Sequence, residues 1–93
     1  MSLLCFDYGL RQIGTAVGNL ELGTAQPLTT IMATDGVPQW HQIEALLQEW
    51  KPKLVIVGRP LNMDGSESEM SARAKKFANR IHGRFGIPIA LHD

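Results

Sequence analysis

The residue in this sequence best placed for chemistry is Asp7, which closes a short apolar run. Residues 3–6 are all hydrophobic, and an acid and a turn bracketed by Gly9 and Gly14 follow them directly. A carboxylate at the tip of a hydrophobic strand is costly unless it is solvated, paired or bound to a cation. Asp7 is therefore either the simple start of a turn or a ligand for a metal ion.

A second carboxylate, Asp93, follows another apolar run, residues 87–91. If the two runs are parallel strands, their carboxyl ends share one edge of the sheet with the loop at 58–65. Mg²⁺ binds one or two carboxylates and keeps several waters, and two such ions about 4 Å apart can activate water for phosphodiester hydrolysis. The spacing predicts a divalent-cation site on Asp7 and Asp93, with His92 as a weaker candidate.

The stretch 70–92 contains several basic residues and no acidic residue. At helical spacing, four of them fall in one narrow arc beside an apolar stripe: Arg73, Lys76, Arg80 and Arg84. Such an arc can contact a phosphate backbone. It can equally be a solvated face whose last cations complement the helix dipole. The sequence leaves both interpretations open.

The elements that must position these residues follow the order β-β-β-α-β-α-β. The first three are predicted as an antiparallel meander of strands at 3–7, 13–19 and 26–33. Asp35 is predicted to cap the first helix, with Pro38 in its first turn. Pro52 is predicted to end that helix, because the residue before a proline disfavours helical geometry.

The second half of the chain is predicted as strand, helix and strand. The continuous apolar run at 54–57 is typical of a strand that is buried on both faces. Ser66 and Glu69 have the spacing of a capping box, which predicts a helix at about 67–84. A last strand at 87–91 completes the chain.

A mixed sheet in the order 3-2-1-4-5 accommodates these elements. Both crossover connections then run in the same direction, so the right-handed rule places both helices on one face of the sheet. Nothing in the chain covers the opposite face. Since large bare apolar faces are rare in monomers, we expect a homodimer through the uncovered face or a swapped assembly.

Composition excludes several classes of protein. The 93 residues carry no net charge, so total charge gives no argument for binding nucleic acid or a membrane surface. The apolar runs are too short to span a bilayer. Cys5 is the single cysteine, which suits a reducing cytosol. The whole chain, 1–93, is predicted to be one α/β domain in the cytoplasm.

Four motifs, in this order and spacing, resemble the YqgF family over the whole chain. They are D-Y-G-x-x-x-x-G at 7–14, G-R-P-L-N-M-D-G at 58–65, A-R-A-K-K-F-A-N-R-I-H-G-R-F-G at 72–86 and the closing L-H-D at 91–93. Members of this family are bacterial RNase H-like proteins described as Holliday junction resolvases and as pre-16S rRNA nucleases.

The resemblance implies an RNase H-like fold and a cytoplasmic nuclease that trims the precursor of the small-subunit ribosomal RNA with Mg²⁺ or Mn²⁺. It implies that Asp7 is the first metal-binding, catalytic carboxylate. Arg59 and Asn62 match a family motif at the rim of the site, and with Gly9, Gly14 and the basic arc they are expected to bind substrate. The expected partners are nucleic acid and, through it, the ribosome.

One departure from the family pattern limits this expectation. Family members continue after H-D with a glutamate and then a C-terminal helical region that carries a further acid. We therefore expect this chain to be a fragment or a truncated form without the C-terminal helix, and weakly active or inactive as a nuclease.

Two rival functions remain on the sequence alone. One is a non-catalytic RNA-binding module that uses the basic helix face. The other is a nucleotide-phosphate domain of the actin and sugar-kinase type, which also begins with D-x-G but needs two large lobes.

Overall fold

The structure, a computed structural model, describes residues 2–58, 64–66 and 68–92. This part of the chain forms one sheet and two helices. The strands are β1 (Ser2–Asp7), β2 (Gln12–Asn19), β3 (Thr24–Pro27), β4 (Ile31–Thr34), β5 (Val37–Pro38), β6 (Leu54–Gly58) and β7 (Ile89–His92). The helices are α1 (Trp40–Trp50) and α2 (Glu69–Phe85). No helix in the described ranges is long and apolar enough to cross a membrane.

The sheet is mixed, with the order β5-β4-β2-β1-β6-β7 and with β3 paired to β2. β1 pairs with β2 antiparallel, whereas β1, β6 and β7 are parallel neighbours. The predicted order 3-2-1-4-5 is confirmed around β1, and it differs at the meander edge, where the chain forms additional strands.

Both helices pack on one face of the sheet, as predicted. Leu4 and Phe6 of β1 lie in register with Val55 and Val57 of β6, and all four side chains are buried. They share one core with apolar residues from both helices, namely Ile43, Leu46, Ala74, Phe77, Ala78 and Ile81. Because β1, β6 and β7 follow one another in one direction across the sheet, the two crossovers have the same hand.

The opposite face of the sheet is only half buried. Cys5 and Ile56, in register with each other, alternate with the buried residues of β1 and β6. The prediction that 54–57 is buried on both faces is wrong. An uninterrupted apolar run cannot reveal that the described part of the chain supplies helices to one face only.

The predicted third strand, 26–33, is also wrong, because it forms two strands. β3 pairs with residues 16–19 of β2, and β4 pairs with Gln12 and Ile13. Between the two strands, the Leu28 amide donates to the Thr15 carbonyl at 2.8 Å, and the Thr15 hydroxyl donates to the Thr29 carbonyl. These bonds to a buried threonine end one pairing and start the next.

Asp35 does not cap a helix. It forms with Gly36 the two-residue turn between β4 and β5, where Thr34 pairs with Val37. Both turn residues have positive φ, 49° at Asp35 and 81° at Gly36. Asp-Gly is a strong sequence signal for such a hairpin because both central residues must be left-handed. That signal was present in the sequence and competed with the helix-start interpretation.

The start of each helix differs from the prediction, whereas the end of α1 agrees with it. α1 begins after Gln39 with no side-chain cap, and it ends at left-handed Lys51, just before Pro52 as predicted. The N-cap of α2 is Ser68, whose hydroxyl accepts from the Ser71 amide at 2.9 Å. The predicted capping box at Ser66 is wrong, because Ser66 belongs to the preceding turn, where it donates to Asp64.

Candidate metal and nucleic-acid site

Asp7 lies where three parallel strands end side by side. Its register partners are Gly58 on β6 and Gly14 on β2, and Gly58 is in turn paired with His92 on β7. The carboxyl ends of β1, β6 and β7 therefore form one edge, which is where open sheets with parallel strands place their sites. Asp7 itself is exposed.

The Asp7 side chain opens on a cavity of about 490 Å³ on the half-buried face of the sheet. Gly14 and Gly58 flank it on the two neighbouring strands. A Cβ at Gly14 would lie 3.5 Å from the Asp7 Cβ, and one at Gly58 would lie 4.0 Å from Asp7 Oδ1. Because neither neighbour carries a side chain, the carboxylate has free space on both sides. Gly14 is among the site residues predicted from the sequence, whereas Gly58 appears there only as the first residue of the 58–65 motif.

The floor of this cavity, which we call the Asp7 cavity, is apolar. Cys5, Ala16 and Ile56 line it below the carboxylate. Burial raises the pKa of the Cys5 thiol above its ordinary value. The cysteine is therefore protonated near neutral pH and acts as a small apolar residue.

His92 is the second potential metal ligand on the cavity wall. It lies two strands from Asp7, which separates the two backbones by about 10 Å at the usual strand spacing. Among residues 2–58, 64–66 and 68–92, no three potential metal-binding side chains gather at one point. One exposed carboxylate suits a Mg²⁺ ion that keeps most of its waters and takes its other ligands from substrate phosphates.

Three predicted site residues, Arg59, Asn62 and Asp93, lie outside the described residues. Gly9 lies inside them, in the connection from β1 to β2. A Cβ there would come within 2.5 Å of the Gln12 carbonyl oxygen. Glycine is thus required for the close approach of backbone to backbone in the turn that follows Asp7.

The predicted basic arc of α2 lies on the other face of the sheet. A groove of about 360 Å³ separates α2 from the β4–β5 hairpin, and we call it the basic groove. Three of the four predicted cations line it: Arg73, Lys76 and Arg80. Tyr8, the residue next to Asp7, lies at its inner wall.

Arg84, the fourth cation, is separate from the basic groove. Its guanidinium lies 4.4 Å from the centre of the Trp40 ring, a cation–π contact. Trp40 also stacks on Phe77 at 5.9 Å between ring centres. Trp40 is therefore largely committed to packing.

The cations of the groove differ in their electrostatic partners. Arg73 pairs with Asp35 across the groove at 3.5 Å and with Glu69 on its own helix at 3.7 Å. Lys76 and Arg80 are exposed. Within the described ranges, no carboxylate lies at ion-pair distance from either of them.

Comparison with known proteins identifies sequence relatives along the whole chain. The family model described as "RuvX: Holliday junction resolvase" matches residues 1–93. A protein of Pectobacterium carotovorum is 58% identical over 92 residues and one of Escherichia coli O7:K1 is 61% identical, and both carry the name "Putative pre-16S rRNA nuclease". The matches cover 99% of this chain but only 66% and 67% of those proteins. The chain thus spans about two thirds of their length.

Solved structures show the same fold. Thermus thermophilus RuvC in complex with a Holliday junction substrate has a TM-score of 0.65 at 14% identity, covering 99% of this chain and 65% of that one. Archaeoglobus fulgidus Pelota has a TM-score of 0.62 at 10% identity, covering 99% and 26%. The predicted RNase H-like α/β fold, which RuvC shares, is confirmed.

Proposed function

Because this chain belongs to the RuvX family of Holliday junction resolvases, we propose that its Asp7 cavity is part of a metal-dependent nuclease site. The observation that carries the proposal is the placement of Asp7. It is an exposed carboxylate at the end of the central strand, and the glycines on both neighbouring strands leave room for a phosphate beside it.

Asp7 fits a hard divalent ion, since a carboxylate on open space is the donor that Mg²⁺ and Mn²⁺ prefer. His92 and Asp93 are the proposed additional ligands. A bound ion of this kind stabilises the charge of a reacting phosphate and makes bound water more acidic. The chain's own contribution is to fix the Asp7 carboxylate by the β1 register and to keep its flanks clear at Gly14 and Gly58.

The proposed substrate is the 5′ end of the 16S ribosomal RNA precursor, in line with the names of the curated relatives. A branched DNA junction is the alternative that the family description suggests. Arg59 and Asn62 are proposed to contact substrate at the rim, and the basic groove is proposed to bind its backbone. Cleavage by this chain is expected to be slow, because Asp7 is the one carboxylate that the described residues bring to the cavity.

The test is a titration of the purified chain with Mn²⁺, followed by calorimetry and by paramagnetic broadening of NMR signals. We expect saturable binding that broadens signals from the ends of β1, β6 and β7, and its loss in Asp7→Asn. Glu49→Gln, which removes an exposed acid on α1, is the matched control and should bind Mn²⁺ normally. Equal binding by Asp7→Asn and the parent chain would refute the assignment.

RNA cleavage is measured in parallel against a full-length relative. We expect slow cleavage that requires the ion and disappears in Asp7→Asn. Cleavage that persists in chelator, or in Asp7→Asn, would contradict the proposal.

A non-catalytic RNA-binding module is the second candidate function, and the basic groove favours it. It predicts RNA binding in chelator with no cleavage at any ion concentration.

Sedimentation at high concentration tests the homodimer proposed through the half-buried sheet face. A strictly monomeric profile would contradict that assembly.

A further inference from the structure

The basic groove and the Asp7 cavity lie on opposite faces of one sheet, and consecutive residues mark the change of face. Asp7 opens on the half-buried face, whereas the Tyr8 ring packs against Phe77 of α2 at 5.0 Å between ring centres. We propose that the basic groove is a second, metal-independent site for the phosphodiester backbone of single-stranded nucleic acid, which Asp35 restrains through its ion pair with Arg73. This inference rests on the proposed function in taking nucleic acid as the ligand and in taking one strand to reach from the Asp7 cavity to the groove.

The chemistry of the groove suits phosphate. Lys76 and Arg80 project into it, and in the described part of the chain no acid pairs with either. Cations that are already paired gain little from a phosphate, whereas unpaired ones release the counterions of the nucleic acid when they bind. Lys76 and Arg80 are therefore the two residues expected to provide the basal affinity.

The aromatic residues at the groove are not free to stack on bases. The Tyr8 hydroxyl donates to the Gly36 carbonyl at 3.0 Å, and its ring packs on Phe77. Trp40 contacts Phe77 and the Arg84 guanidinium. Because no aromatic ring described at the groove is open for base stacking, binding in the groove should depend on charge alone. It should therefore show little preference for base sequence.

The position of the two sites favours a single strand over a duplex. A strand that occupies both sites must turn from one face of the sheet to the other around the edge at Asp7 and Tyr8. The longest dimension of the described molecule is 33 Å, which equals about ten base pairs of duplex at 3.4 Å each. A duplex has a persistence length of about 150 base pairs, so it cannot make that turn, whereas a single strand can.

Asp35 limits the charge that the groove offers. Its carboxylate occupies the Arg73 guanidinium at 3.5 Å, and the acid is 80% exposed while Arg73 is 38% exposed. A phosphate must compete with Asp35 and with Glu69 for Arg73, and Asp35 is the competitor that faces it across the groove. Removing the Asp35 charge should therefore strengthen binding, a gain that disruption of the fold cannot imitate.

The experiment measures anisotropy of a fluorescein-labelled single-stranded RNA of about 12 nucleotides, a length within the usual range for one small domain. It is performed in chelator over a range of salt concentrations. Each phosphate contact to a single strand adds about 0.7 to the steepness with which log affinity falls against log salt concentration. One contact therefore makes the affinity at 0.1 M salt about fivefold higher relative to 1 M salt.

We expect Lys76→Gln and Arg80→Gln each to weaken binding about fivefold at 0.1 M salt, and to lower the slope by about 0.7. Lys75→Gln is the matched control, because it removes the same charge from the adjacent exposed position outside the groove. Asp35→Asn should tighten binding by up to about fivefold and raise the slope. Asparagine tolerates the positive φ at this position, so the turn is retained.

Equal effects of Lys75→Gln and Lys76→Gln would overturn the proposal, as would unchanged or weaker binding in Asp35→Asn. These readouts are independent of the metal site, because they are taken in chelator. Loss of Mn²⁺ binding in Asp7→Asn would then support the proposed metal site even if the groove fails.

Discussion

The contact between Tyr8 and Gly36 should make one glycine far less replaceable than another with a similar backbone. Gly36 is buried with φ of 81°, and a Cβ built there would lie 2.0 Å from the Tyr8 hydroxyl oxygen. Gly23 has φ of 65°, but a Cβ there would meet nothing within 4 Å. Alanine at either position has the same left-handed strain, whereas only alanine at Gly36 must displace Tyr8.

The two alanine variants should therefore differ in their free energy of unfolding. Left-handed strain costs about 1–2 kcal/mol for either variant. In Gly36→Ala the chain also loses the Tyr8–Gly36 hydrogen bond, about 1 kcal/mol, and part of the Tyr8–Phe77 ring contact, about 1 kcal/mol. We expect a loss of about 3–4 kcal/mol for Gly36→Ala and about 1–2 kcal/mol for Gly23→Ala.

Urea unfolding followed by tryptophan fluorescence measures both losses. A double-mutant cycle with Tyr8→Phe isolates the steric part. Tyr8→Phe should cost about 1 kcal/mol alone and less than that in the Gly36→Ala background, where the hydroxyl is the clashing group. Equal losses for the two glycine variants would show that the Tyr8 contact contributes nothing.

Three further variants test the site and the core. Gly14→Val should fold normally, since its Cβ makes an ordinary contact at 3.5 Å, but its methyl groups should crowd Asp7 and lower Mn²⁺ affinity in the same titration. Phe77→Ala should lose about 3–5 kcal/mol in urea unfolding, because the ring is buried against Phe6, Tyr8 and Trp40; a loss below that of Phe77→Leu would contradict this packing. The raised pKa of Cys5 means that the unfolded chain releases the thiol proton at lower pH than the folded chain. The contribution of this thiol to the free energy of unfolding is thus complete below the unfolded pKa of about 8.5 and declines as pH rises towards the pKa of the folded state. Cys5→Ala should remove that decline.

Local sequence patterns predicted those elements whose signals do not depend on distant contacts. The apolar run that ends at Asp7, the helix that ends before Pro52 and the amphipathic stripe of α2 all appear in the structure. One error occurred where two local signals competed. Asp35 followed by Gly36 suits a hairpin turn and also a helix start, and the hairpin forms because Gly36 contacts Tyr8 and Leu10. That choice depends on residues far away in the chain.

The site shows the same division. The sequence by itself determined that Asp7 ends a buried strand and that α2 carries cations at helical spacing, because side-chain type and period follow from the chain alone. Only the tertiary structure decided that Gly58 and His92 line up with Asp7, since register depends on pairing between strands. Tertiary packing also divided the cations. It placed Arg84 on Trp40 and Arg73 against Asp35, and it left Lys76 and Arg80 facing the groove.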